Sequence, residues 1–147
     1  MQIARTALAA LVLTTTVATG CDVLSSDRIG SDGGVVVSED GRMMLEIPEG
    51  ALDQEVEISI EVMEGPDGSA SDLYVVEPMG LTFARPVVLT YDYDEQTLDG
   101  HEAQELTMVA HREIFWAHLG DQLVDNDDQT VTASLMALSA VTLVIED

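Results

Sequence analysis

Glu55-Val56-Glu57-Ile58-Ser59-Ile60-Glu61-Val62 alternates charged or polar residues with aliphatic ones at every step. A period of two sends successive side chains to opposite faces of a strand. The stretch therefore predicts a half-buried β-strand with its aliphatic side inward and its glutamates outward. The same period extends in both directions. Met43, Leu45 and Ile47 alternate with Arg42, Met44 and Glu46. Val87, Leu89, Tyr91 and Tyr93 share one face, as do Leu106, Met108 and Ala110, followed by Ile114 and Trp116. Val131, Ala133 and Leu135 alternate with Thr130, Thr132 and Ser134, and Val141, Leu143 and Ile145 follow.

Turn residues punctuate these runs: Asp32-Gly33-Gly34, Asp40-Gly41, Pro66-Asp67-Gly68, Asp99-Gly100 and the polar break Asp125 to Asp128. Asp-Gly between alternating strands is a hairpin cue, because glycine accepts positive φ at little cost. No long segment has helical period, and Gln96 to Gln104 predicts a short turn at most. Many short strands at this spacing predict an all-β fold, an antiparallel β-sandwich.

The N-terminus reads differently. Arg5 precedes an uncharged apolar or small-residue run from Ala7 to Val17, then Ala18-Thr19-Gly20-Cys21. A short apolar stretch ending in small residues is the pattern of a cleaved signal peptide. It is shorter than the ~20 residues a spanning helix needs. Ala18 and Gly20 would satisfy an ordinary signal peptidase. The run Ala-Thr-Gly-Cys also resembles a bacterial lipobox, in which the cysteine thiol takes a diacylglycerol before cleavage. Residues 1–20 are thus expected to be a lipoprotein signal peptide, with Cys21 the lipidation site and its two or three acyl chains, palmitate among them, the membrane anchor. A lipoprotein's several chains meet the requirement that stable anchoring needs more than one. Asp22 resembles the inner-membrane retention signal of enteric bacteria. Residues 21–32 read as a flexible tether, in which the eleven residues from Asp22 to Asp32 span ~18 Å as a coil. Residues 33–147 form the expected sandwich domain. Cys21 is the single cysteine, so no intramolecular disulfide can form.

The chain carries a formal charge of −23, from 28 acidic residues against five arginines and no lysine. Nucleic acid is excluded as a partner, because binding it requires cations that neutralise phosphates. Attraction of the domain to anionic headgroups is excluded for the same reason, so lipid must hold the protein at a membrane. The acidity suits solubility and salt tolerance, or a basic partner, or calcium.

Two segments resemble a known family. Leu45-Glu46-Ile47-Pro48-Glu49-Gly50-Ala51-Leu52 and Pro78-Met79-Gly80-Leu81-Thr82-Phe83-Ala84-Arg85-Pro86-Val87 look like the ZU-five domain, the β-sandwich shared by zonula occludens proteins, netrin receptors and ankyrins. Pro48 should end a strand, Gly50 should permit a sharp turn, and Ala51 and Leu52 should plug the sandwich end. In the second segment Gly80 should make a turn, Leu81 and Phe83 point inward, and Pro86 open the next strand. The resemblance covers roughly Gly33 to Glu146 and implies a module for protein contacts. Some members cleave themselves before a serine in a His-Phe-Ser site. The corresponding residues here are Ala137-Leu138-Ser139, which lack the histidine. A serine without a base is a weak nucleophile, so no self-cleavage is expected.

Residue chemistry adds little. His101, His111 and His118 fall in no compact ligand pattern. His101, beside a turn, should be solvated, and His118, sharing a face with Ile114 and Trp116, should be a half-buried structural residue. Trp116 is expected in the core, with a partner anchor as the alternative. Asp92 and Asp94 should form an acidic surface patch. Asp125, Asp127 and Asp128 are oxygen ligands clustered as calcium prefers, although the glycine and closing glutamate of an EF-hand are missing and a plain hairpin turn is the simpler reading. The expected function is a non-enzymatic, lipid-anchored protein-interaction module of the bacterial cell envelope, periplasmic or surface-facing, with an unknown protein partner and no cofactor. The alternative is a calcium- or small-ligand-binding envelope lipoprotein.

Overall fold

A computed structural model describes residues 26–146. The expected leader, Cys21 and Asp22 lie outside the described residues. Two antiparallel sheets make an all-β sandwich. The larger has the order β1-β4-β5-β11-β7-β8, and the smaller β2-β3-β6-β10-β9. Their strands are β1 (Ser26–Ile29), β2 (Gly34–Val37), β3 (Met43–Ile47), β4 (Val56–Met63), β5 (Leu73–Glu77), β6 (Thr82–Asp92), β7 (Leu106–Arg112), β8 (Phe115–His118), β9 (Gly120–Asp125), β10 (Thr130–Ala137) and β11 (Ala140–Ile145).

The alternation places the core as expected. On β4, Ile58 and Ile60 are fully buried while Glu57 and Glu61 are exposed. Met43, Leu45, Leu89, Val131 and Met108 meet them from the other strands. Burying each such side chain contributes about 1.5–3 kcal/mol relative to leaving it in water. The turns also fall where expected, and Gly50 takes φ 80° right after Pro48 ends β3. Ala51 and Leu52 are buried at the sandwich end, where the Ala51 carbonyl accepts from Ala84 N at 2.9 Å.

Three local expectations are corrected. First, the tether is not wholly unstructured. Ser26–Ile29 pairs antiparallel with β4, Ile29 opposite Val56, and Ile29 is buried. The reason is tertiary: β4 would otherwise expose an unpaired edge. The Gly33-Gly34 turn that follows is sterically obligatory. Gly33 has φ 76°, and a Cβ there would collide with the Ile47 carbonyl; a Cβ at Gly34 would lie 2.7 Å from Ile29 Cδ1. Second, Pro86 lies inside the eleven-residue β6 rather than opening a strand. Residues 83–86 lie between the pairs Thr82↔Ala137 and Val87↔Leu135, where the β6–β10 register shifts. The ladder is broken there, so the missing proline N–H costs nothing. Third, the stretch after Tyr93 holds more than a turn: a four-residue helix α1 (Glu95–Leu98) and a 3₁₀ turn (Ala103–Glu105).

Candidate functional site

Apart from Met63 at the end of β4, the exposed large apolar side chains of the larger sheet gather at the β7–β8 hairpin. Its turn is Glu113-Ile114, with Glu113 at φ 49°. Ile114 is 93% exposed, Phe115 58% and Trp116 39%. Met79, from the loop before β6, is 51% exposed nearby. The register Arg112↔Phe115 and His111↔Trp116 splits the hairpin into two faces. Phe115 falls on the side of the sandwich interior but beyond its edge. There it borders a groove of about 660 Å³ with Met79, Gly80, Ala137 and Leu138. Trp116 falls on the outer face, its ring edge-on to His111 at a centroid distance of 5.0 Å. β8 pairs only with β7, so its other edge presents free N–H and C=O groups. Among the described residues, Arg112 is the one arginine whose side chain makes neither an ion pair nor a hydrogen bond. Arg28 pairs with Glu55, Arg42 with Asp94, and Arg85 donates to the Glu49 carbonyl.

Two expectations about this region are corrected. Trp116 is not in the core, and His118 is not half-buried, its side chain being 61% exposed. They do share a face, but it is the outer one. Ile114 sits in the turn and belongs to neither face. His118 Nε2 instead meets Glu146 Oε1 at 2.9 Å. His101 lies at the surface as expected, its Nδ1 3.1 Å from Glu105 Oε2.

Several of the remaining polar candidates make contacts within the fold. Asp125 Oδ1 accepts from the N–H groups of Asp127 and Asp128 at 2.9 and 3.1 Å, which closes the β9–β10 turn. Among the described residues no three acidic, histidine or cysteine side chains gather as a metal would need. Asp92 is exposed, but Asp94 is not a mere patch residue. It accepts from Thr97 N as the cap of α1 and binds Arg42. The Thr97 backbone N–H and then the Arg42 guanidinium hold its carboxyl at a pKa of about 2. Ser139 is buried at the edge of the groove, its hydroxyl donating to the Ala140 carbonyl at 3.3 Å. His111 lines the same groove, but no hydrogen bond joins it to Ser139.

One polar network escaped the sequence. Asp40, in the β2–β3 turn, accepts from the Ser38 hydroxyl, the Arg42 N–H and the Tyr74 hydroxyl. Burial opposes its charge, yet these donors outweigh burial and lower its pKa. Burial, then the bond to Asp40, raises that of Tyr74. No sequence signal pairs Asp40 with a tyrosine 34 positions away.

Fold and surface together define an all-β, two-sheet antiparallel sandwich with an apolar hairpin protruding from one edge. No family model matches the chain, and no curated protein matches it.

Proposed function

We propose that the chain is a lipid-anchored domain of the bacterial envelope that binds another protein through its β7–β8 hairpin. The observation that carries the reading is the protruding Ile114-Phe115-Trp116 beside a groove and a free strand edge. Solvent-exposed aromatics are costly to display unless something covers them, and aromatic residues with arginine dominate binding hot spots. An edge strand also offers main-chain hydrogen bonds to an added strand. The anchor rests on the lipobox-like run ending at Cys21. The resemblance to the ZU-five module, a domain of protein contacts, points the same way.

The test is capture from native membranes under mild detergent. The wild-type chain should retain a specific protein that a Phe115→Asp, Trp116→Ala variant does not. A variant that retains the same protein equally well would remove the hairpin from the reading.

A further inference from the structure

The turn between β7 and β8 is two residues long, so Arg112 and Phe115 form its closing hydrogen-bonded pair. Bonded pairs then recur at every second residue. Ala117 faces Ala110 in the next one, and beyond it the Leu119 N–H reaches the Met108 carbonyl at 3.1 Å. The N–H and C=O groups of Trp116 and His118 are therefore left pointing to the free edge of β8. The side chains alternate as well. Phe115 and Ala117 line the groove, and Arg112 lies beside Phe115 on the same inner side. Charge singles out this spot. The chain carries 28 acidic residues, yet Glu113 is the one acid that lines the groove. Arg112 lines it too, and among the described residues it is the arginine left without an ion pair or side-chain hydrogen bond.

We propose, resting on the hairpin being the protein-binding site, that it recognises an extended segment with an apolar residue and, two positions later, a glutamate. The segment adds to β8 as an antiparallel strand, and its middle residue exchanges hydrogen bonds with Trp116. A strand's period of two puts the residues on either side of that one on the groove face. The apolar residue lies opposite Ala117, whose small side chain leaves the groove open to it. The glutamate lies opposite Phe115. Its strand runs two spacings, ~10 Å, from β7, a gap that two long side chains close when Arg112 and the glutamate meet over the Phe115 ring. Aspartate is too short for that contact. So acidic a surface attracts basic partners in general. At Arg112 the local preference is reversed, because a carboxylate there gives the unpaired guanidinium its hydrogen-bond acceptor. The rest of the segment is neutral or basic, since further acids would meet the field of the whole domain. A four-residue edge and one groove supply little area, so a short peptide binds with Kd of about 10–500 µM.

The test uses the chain from residue 22 onward, which contains the whole described core. It is immobilised and panned with a random heptapeptide library displayed in many copies per particle, so that avidity retains weak binders. The expected consensus is apolar, any residue, glutamate, in a neutral or basic frame. The consensus peptide, synthesised with both ends blocked, should bind in solution. Glutamine in place of its glutamate should weaken binding about three- to tenfold. N-methylation of the residue between the apolar one and the glutamate should weaken it at least about tenfold, because the N–H that meets Trp116 is lost. Arg112→Glu should lose the consensus peptide and bind the peptide with lysine in place of the glutamate, a gain that also shows the variant to be folded. A consensus without an acid, a consensus of basic residues alone, or no enrichment overturns the proposal. So does an Arg112→Glu variant that selects the wild-type consensus. Capture from native membranes separates this motif from the hairpin's role. If Phe115→Asp with Trp116→Ala loses the captured protein while Arg112→Glu keeps it, the motif falls and the hairpin stands as the binding site.

Discussion

The Tyr74 hydroxyl donates a 2.6 Å hydrogen bond to Asp40 Oδ2, tying β5 of one sheet to the β2–β3 turn of the other. The Tyr74 ring is fully buried and lies edge-on to Tyr91 at a centroid distance of 5.8 Å. One side chain thus packs in the core with its ring and bridges the two sheets with its tip. Tyr74→Phe keeps the ring and deletes the donor. Asp40 retains Ser38 and the Arg42 N–H, so the loss should be about 1–2 kcal/mol at neutral pH. Tyr74→Ala also empties the ring's volume and should cost about 3–5 kcal/mol. Urea unfolding at neutral pH gives both values. Equal costs would mean that the ring contributes nothing beyond the hydroxyl.

Acid should weaken the fold through Asp94. Its carboxyl has a pKa of about 2, against an ordinary 3.8, because Thr97 N–H and Arg42 favour the charged form. A carboxylate depressed in the folded state contributes stability that is fully present above the unfolded value. That contribution is lost as pH falls through the folded one. Asp40, also lowered, acts in the same direction. Asp94→Asn should therefore unfold at lower urea than wild type at neutral pH, and the gap should close between about pH 4 and pH 2. The substitution keeps a good helix cap, so the difference isolates the ion pair and charge. A gap that persists unchanged at the acid limit would assign the effect to something other than this carboxylate.

Removing β1 tests whether the segment before Gly33 belongs to the domain. A chain beginning at residue 33 loses Ile29 from the core and bares the β4 edge. The apolar loss alone should cost about 1.5–3 kcal/mol relative to a chain beginning at residue 22. Unchanged unfolding midpoints would return Ser26–Ile29 to the tether.

Much of this architecture was legible because period-two patterning is a local property. β3, β4, β6 and β10 each read from their own residues, and so did the Pro48 to Leu52 sandwich end. What failed was non-local. Ser26-Asp27-Arg28-Ile29 has no strand pattern of its own and is ordered by an edge some thirty residues later. Leu73-Tyr74-Val75-Val76 is a continuous apolar run, so alternation does not mark β5. Trp116 shows a third failure. Period two tells which residues share a face, not which face is inward. On the edge strand β8 the face of Trp116 is the outer one, fixed by its pairing with His111. The hairpin surface was therefore invisible in sequence, although Trp116 was already an alternative anchor.

The hairpin's exposure separates binding from stability. Phe115→Asp removes an apolar side chain that is largely in water, so folding should change by no more than about 0.5 kcal/mol. Trp116→Ala loses the contact with His111 and should cost somewhat more. As the single tryptophan, Trp116 also reports on its own surroundings. Its fluorescence should be quenched readily by acrylamide in the free protein and become shielded when a partner covers the hairpin. Poor quenching of the free chain would contradict the exposed position.

The proposed lipid on Cys21 would set where all these surfaces operate. Only residues 22–25 separate Cys21 from β1, so under that proposal the edge strand would start within about 17 Å of the lipid even with the segment fully extended. The acidic domain gains nothing from anionic headgroups, so the proposed anchoring would rest on the acyl chains alone. Cys21→Ala in the native host should therefore move the protein entirely from the membrane pellet to the soluble fraction. The wild type should resist extraction with high salt and yield to detergent. Raised salt should not release it, because no ionic attraction is being screened. Wild-type protein that leaves the pellet at high salt, or a Cys21→Ala protein that stays in it, would sink the anchor and with it the membrane setting of the proposed function.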